Sequence, residues 1–157
     1  MALDELDQAI LRELQQDARK TNREVAAAVG VSATTCLDRV RSLRKRGIIG
    51  GANLDVDLSR IGRPVQALIS IRIRPPSREN IEAFRNWVSE LPETVGVFVV
   101  SGNADFLVHV AVPDNTSLYA FVIDRLTELP EVADVNTSIV YEHIRNHVIE
   151  PMQATRW

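Results

Sequence analysis

A four-residue motif occurs twice, and its recurrence constrains more than half of the chain. Glu90-Leu91-Pro92-Glu93 returns 38 positions later as Glu128-Leu129-Pro130-Glu131. Each copy closes an amphipathic stretch and leads into a Val-rich one. In the first stretch Ile81, Phe84, Trp87, Val88 and Leu91 recur at steps of three and four, which predicts a helix over 78–91. In the second, 115–129, one side holds Leu118, Phe121, Val122, the stem of Arg125 and Leu129. Four β-rich segments surround these helices: 65–74, 94–101, 106–112 and 132–148. The order β-α-β-β-α-β is the split βαβ, or ferredoxin-like, arrangement. Its helices cover one sheet face and leave the other open. Ile69, Ile71 and Ile73, or their alternates, carry that open face, and an exposed apolar sheet favours face-to-face dimers.

The chain ahead of this region follows a helical period. Leu3, Leu6, Ile10, Leu11 and Leu14 mark an amphipathic helix over 4–17. Its first turn carries Asp4, Glu5 and Asp7, the charge sign that complements a helix N-terminus. Thr21 or Asn22 can cap a second helix, and Thr21 with Glu24 has capping-box spacing. That helix stops at Gly30, which takes the left-handed position after a helix without steric cost. Ser32 caps a third helix, 33–46, ended by Gly47. Two helices joined by a short Gly-containing turn form a helix-turn-helix pattern. At about 100° per residue, Cys36, Val40 and Leu43 make the inward stripe of the third helix, with Ala33 and Leu37 at its edge. Thr34, Asp38, Arg41 and Lys45 lie nearly opposite, with Thr35 and Ser42 beside them.

Charge decides what that outer face is for. The chain has 18 Lys+Arg against 21 Asp+Glu, a net −3 that taken alone argues against a polyanionic partner. Mapped along the sequence, residues 19–46 carry eight basic side chains against Glu24 and Asp38, a net +6, and acidic segments flank them. A recognition helix uses its N-terminal side chains on base edges and its basic groups on phosphates. Thr34, Thr35 and Asp38 are therefore assigned to base readout, with the capping Ser32 in the same DNA-binding set. Arg39, Arg41, Arg44 and Lys45 are assigned mainly to phosphates, and Arg19, Lys20 and Arg23 to the flanking backbone. Arg39 lies between the two faces, so an ion pair with Asp38 or Glu24 and a DNA contact both stay open.

Catalytic and metal chemistry find no constellation. Cys36, the one cysteine, sits on the apolar stripe and behaves as a small hydrophobe; it allows no disulfide within the chain. His143 and His147 share a strand face but stand roughly 13 Å apart at ~3.3 Å per residue, and a shared metal wants its ligands within ~2 Å of one ion. With His109 they give no metal site. No paired catalytic carboxylates, nucleophile–base motif or phosphate loop stands out, so the chain is read as no enzyme. The composition, 45% hydrophobic and 25% charged, is that of a soluble globular protein. No apolar run reaches the ~18 residues of a membrane span, and the acidic start is no signal peptide. The connection Ser101-Gly102-Asn103-Ala104-Asp105 has two readings: a plain hairpin turn, or a loop whose N–H groups bind a carboxylate while Asp105 holds an ammonium.

Several short motifs together resemble one family. They are Leu3-Asp4 with Asp7, Ile10-Leu11, Leu14-Gln15, Asp17-Ala18-Arg19, Val29-Gly30-Val31-Ser32, Cys36 with Arg39-Val40, and Leu43 followed by Gly47-Ile48-Ile49. Ser101-Gly102 through Asp105-Phe106-Leu107, and the strand over 132–140, complete the set. From about residue 3 to 149 the chain is similar to the Lrp/AsnC (leucine-responsive/asparagine, or feast/famine) transcription regulators of bacteria and archaea. The resemblance implies a winged helix-turn-helix that binds double-stranded DNA, followed by a ferredoxin-like (RAM/ACT-like) domain for dimerisation, higher assembly (commonly octamers) and amino-acid sensing. It implies an effector site at Gly102, Asn103, Ala104 and Asp105, with Asn136, Thr137 and Ser138 as contacts from a neighbouring subunit. Phe106 stands where relatives often carry Tyr, which removes a hydroxyl.

The fold expected is therefore α+β: a winged helix-turn-helix over 1–51, a strand or wing over 52–58 within a linker that ends at 63, a ferredoxin-like domain over 64–149 and a tail over 150–157. The function expected is a cytoplasmic, oligomeric DNA-binding regulator that responds to a small amino acid, with no cofactor, no metal and no membrane partner. The alternative is an architectural DNA-compacting protein of the same fold without an effector.

Overall fold

The structure, a computed structural model, describes residues 3–152. It divides into two compact units: residues up to 54 together with those from 144 onward, and residues 55–143.

Each helix of the first unit starts where a side chain satisfies an orphan N–H. Asp4 accepts from the Asp7 N–H at 2.8 Å and starts α1, Glu5–Gln16. Thr21 and Glu24 form a reciprocal capping box at the head of α2, Asn22–Val29. Gly30 then leaves the helix at φ 76°, a left-handed conformation in which any Cβ is strained. Ser32 accepts from the Thr35 N–H at 3.1 Å and starts α3, Ala33–Lys45. The apolar stripes meet in a core of Ile10, Val25, Ala26, Cys36, Val40 and Leu43, lined by Leu6, Leu11 and Leu14. Each fully buried aliphatic side chain there contributes about 1.5–3 kcal/mol. The chain's far end belongs to this unit too. The Gln15 amide and the Ile149 backbone exchange two hydrogen bonds, at 2.9 and 3.2 Å, and Arg12 pairs with Glu150 at 2.6 Å.

Three carboxylates of this unit titrate below their usual range. The Asp7 N–H, then Arg39, holds Asp4 down. The Arg19 side chain, then its N–H, takes Asp17 to about 2. The Thr21 N–H, then its hydroxyl, lowers Glu24. A depressed folded-state pKa means stability that is complete above the ordinary carboxylate range and lost as pH falls through the lowered value. Helical circular dichroism should therefore stay level from pH 7 to about 4.5 and decline between about 4 and 2. A fall already complete at pH 5 would contradict these caps.

In the second unit β1 (Val65–Ile73), α4 (Arg78–Ser89), β2 (Thr94–Val99), β3 (Phe106–Val112), α5 (Asn115–Phe121) and β4 (Val132–Ile139) follow the βαββαβ order. The strands form one antiparallel sheet in the order β2-β3-β1-β4. Ile69 faces Val108 and Thr137 across the ladders, and Ile71 faces Phe106 and Val135. Ile69, Ile71 and Ile73 are fully buried with Phe84 and Val88 of α4 and Leu118 and Phe121 of α5. The open face thus belongs to their alternates, Gln66, Leu68, Ser70 and Arg72, because the helices' stripes take the more apolar row. Leu68 is 37% exposed and Phe98, on the same face, 58%.

Three expected elements come out differently. Residues 52–58 form no strand: no described strand of the chain pairs with them, and Leu54 is 90% exposed. An alternating pattern without a ladder partner does not make a strand. The final strand ends at Ile139 instead of running to 148. The second helix stops being α-helical at Phe121 and continues as a π turn, Val122–Leu126, closed by Thr127 N–H donating to the Val122 carbonyl at 3.0 Å. The wider turn moves the inward position by one residue, so Leu126 is buried while Arg125 reaches out to Glu93 at 3.5 Å. Among the described residues no helix is long and apolar enough to cross a membrane.

Candidate DNA-reading face and ligand loop

Opposite the buried Cys36, Val40 and Leu43, α3 presents Thr34, Asp38, Arg41 and Lys45, all exposed. The helix ends in Arg44 and Lys45, cations at the negative end of its dipole. Ser32 and Thr35 hold one another, hydroxyl to hydroxyl at 2.8 Å, so both serve the cap as well as the outer face. Arg44 stands to one side, at a groove lined by Leu11, Leu14, Ile49 and Ile149. Of the residues around the entry to α2, Arg19 pairs with Asp17 at 3.0 Å and Lys20 with Glu13 at 2.6 Å, while Arg23 is exposed. Arg39 has partners other than Asp38 and Glu24. It donates to Asp4 at 2.5 Å and to Asp7 at 3.2 Å, turned toward α1. Asp7 also accepts from Arg46 at 3.2 Å. Neither Asp7 nor Arg46 stood out in the linear pattern as part of this face.

Burial raises the Cys36 thiol, so it stays protonated and unreactive at neutral pH. His109 bonds to Gln66 at 2.9 Å, and its ring meets that of His143 edge-on at 6.0 Å. Among the described residues no cluster of His, Cys, Asp and Glu is arranged to hold a metal.

The 101–105 connection joins β2 to β3. Gly102 takes φ 111°, a conformation that favours glycine. Asp105 anchors the loop: its N–H donates to the Ile71 carbonyl at 2.9 Å and its Oδ2 accepts from the Ile73 N–H at 2.8 Å, with Arg74 at 3.6 Å. The Arg72 guanidinium donates to the Asn103 carbonyl. Among the described residues no backbone carbonyl accepts from the N–H of Gly102, Asn103 or Ala104. Asn136 and Ser138 lie opposite Ser70 and Leu68 on the open sheet face, and Thr137, opposite Ile69, lies on the other. β1 runs between β3, into which the loop leads, and β4, which carries Asn136 and Ser138.

Comparison with known proteins bears on both sites. The profile of the AsnC-type helix-turn-helix domain matches residues 3–44, and that of the Lrp/AsnC ligand binding domain matches 66–148. The chain is 36% identical to the HTH-type transcriptional regulator AldR of Mycolicibacterium smegmatis, over 91% of this chain and 84% of that protein. It is 35% identical to the leucine-responsive regulatory protein of Rhizobium meliloti, over 92% of each. Among solved structures, a Neisseria meningitidis transcriptional regulator in complex with L-methionine superposes with TM-score 0.85 at 30% identity, covering 92% of this chain and 94% of that one.

Proposed function

The chain belongs to the Lrp/AsnC family of DNA-binding transcription regulators, and on that premise we propose that it is a cytoplasmic, self-associating regulator whose DNA binding responds to a small amino acid. Its relatives are regulators, not enzymes. The expected division, 1–51 to read DNA, 52–63 to connect and 64–149 to assemble and sense, is narrowed at its far end: residues 144–150 return to the DNA-reading unit, where Ile149 and Glu150 bond to Gln15 and Arg12.

The outward row Thr34, Asp38, Arg41 and Lys45 carries the DNA assignment, since short polar groups precede cations on one exposed helix face. Thr34, Thr35 and Asp38 approach base edges; Arg41, Lys45 and Arg44 meet phosphates, with Arg19, Lys20 and Arg23 on the flanking backbone. Arg39, committed to Asp4 and Asp7, acts from behind the face.

For the effector, the donors of Gly102, Asn103 and Ala104 suit a carboxylate, and Asp105 offers Oδ1 to an ammonium while Oδ2 anchors the loop. Leu68 and Phe98 on the open sheet face suit packing against a second copy, and in such an assembly Asn136 and Ser138, on that face, approach a neighbour's loop, while Thr137 points to the other face of β4 and takes no part. Titration calorimetry of the full chain against the twenty amino acids tests the sensing. Binding of at least one, weakened tenfold or more in Asp105→Asn, is the expected result. That substitution removes the charge and keeps an oxygen for the Ile73 N–H. Silence across the panel would replace sensing by the architectural reading, DNA compaction without an effector.

A further inference from the structure

We propose that Asp7 is a positioning residue for DNA reading, fixing how α3 is turned about its own axis. Among the described residues it is the one charged side chain that is buried, at 3% exposure. Its Oδ1 accepts from Arg39 and its Oδ2 from Arg46, both at 3.2 Å. Arg39 and Arg46 stand seven residues apart, two helical turns, and so leave α3 in nearly the same direction. One carboxylate on α1 therefore holds α3 at two points along its length. Asp4 completes the brace, with Oδ2 on Arg39 at 2.5 Å and Oδ1 on the Asp7 N–H that caps α1 at 2.8 Å.

The core alone does not specify that angle as sharply. Cys36, Val40 and Leu43 meet Ile10 and Val25 through non-directional contacts, which tolerate a small roll. Charge-assisted hydrogen bonds are directional, and one buried carboxylate shared by two guanidinium groups accepts both only over a narrow range of helix orientations. The lever is long enough to matter. With side chains the helix is about 5–6 Å in radius, so a roll of ~10° displaces the tips of Thr34 and Asp38 by ~1 Å. Hydrogen bonds to base edges span only ~2.7–3.2 Å, whereas phosphates reached by flexible Arg and Lys side chains tolerate that shift. Loss of the brace should therefore remove discrimination between sequences and spare general affinity.

The inference rests on the DNA-reading face proposed above. The test begins with the full, unmodified chain selecting duplexes from a randomised pool. Affinities of Asp7→Asn are then measured for the selected duplex and a scrambled one, with a salt titration of each. The expected result is a loss of about tenfold on the selected duplex, less than about twofold on the scrambled one, and an unchanged salt slope. Equal losses on both duplexes, or none on either, would overturn the proposal. If Asp7→Asn does not fold, Arg46→Gln lifts one of the two ties and leaves the Asp7–Arg39 pair; the same selective loss is expected of it. In a double-mutant cycle the two substitutions together should cost little more than either alone, and full additivity also overturns the brace. Failure of the unmodified chain to select any duplex would overturn the DNA-reading face itself, a result distinct from undiminished discrimination in the variants.

Discussion

Replacing both Arg41 and Lys45 with Ala should weaken DNA binding about 30-fold per bound chain at 0.15 M salt. Each cation that neutralises one phosphate contributes about 0.9 to the slope of log affinity against log salt, so the double variant's slope should be shallower by about 1.8. Both side chains are exposed on α3 away from its buried stripe, so folding is not expected to change. Selected and scrambled duplexes should lose affinity alike, which separates this outcome from that of Asp7→Asn. Thr34→Ala should do the opposite, altering which sequence is preferred at an unchanged slope. If affinity and salt slope both survive loss of the two charges, this face of α3 is not the one that meets DNA.

The largest stability change is expected at Phe84, fully buried where α4 meets the sheet. Its ring lies 4.8 Å from that of Phe106 and 5.8 Å from that of Trp87, centroid to centroid. Phe84→Ala removes the ring and leaves a cavity that the sheet strands Ile69, Ile71 and Phe106 cannot collapse to fill. The cost expected is about 3–5 kcal/mol. Against the ~5–15 kcal/mol of an ordinary domain this is a large fraction. Urea denaturation followed by tryptophan fluorescence at Trp87 checks it, as a lower midpoint at an unchanged m-value. Phe98→Ala is the counterpart on the open sheet face, where a surface change within about 0.5 kcal/mol is expected of a single chain. A loss at Phe84 of less than about 1 kcal/mol would show the core to be elsewhere.

Much of this architecture was legible in the residues because its causes are local. Caps at Asp4, Thr21 and Ser32 need only a side chain and an N–H three residues on. The faces of α3 follow from its period, and the repeated Glu-Leu-Pro-Glu marks where each helix gives way to a strand. The brace was not legible there: Asp4 with Asp7, and Arg39 with Arg46, are each spaced to share one side of a helix, but neither pair stands out from its neighbours. That those two faces meet is not written in either helix.

The sequence by itself determined the order of elements, the helix-turn-helix and the cationic outer face, all set within a few residues by hydrogen bonds and periodicity. Only the tertiary structure decided the matters that depend on a partner far along the chain. It put the isoleucine row of β1 under the helices, where their apolar stripes needed the larger burial, and left Leu68, Ser70 and Arg72 outside. It denied 52–58 a strand for want of a ladder, and moved the inward position from Arg125 to Leu126 through one wide turn. It turned Arg39 from the DNA face toward two aspartates, and spent one oxygen of Asp105 on the backbone of β1. Pairing across long sequence separations selects among alternatives that local patterns leave equal.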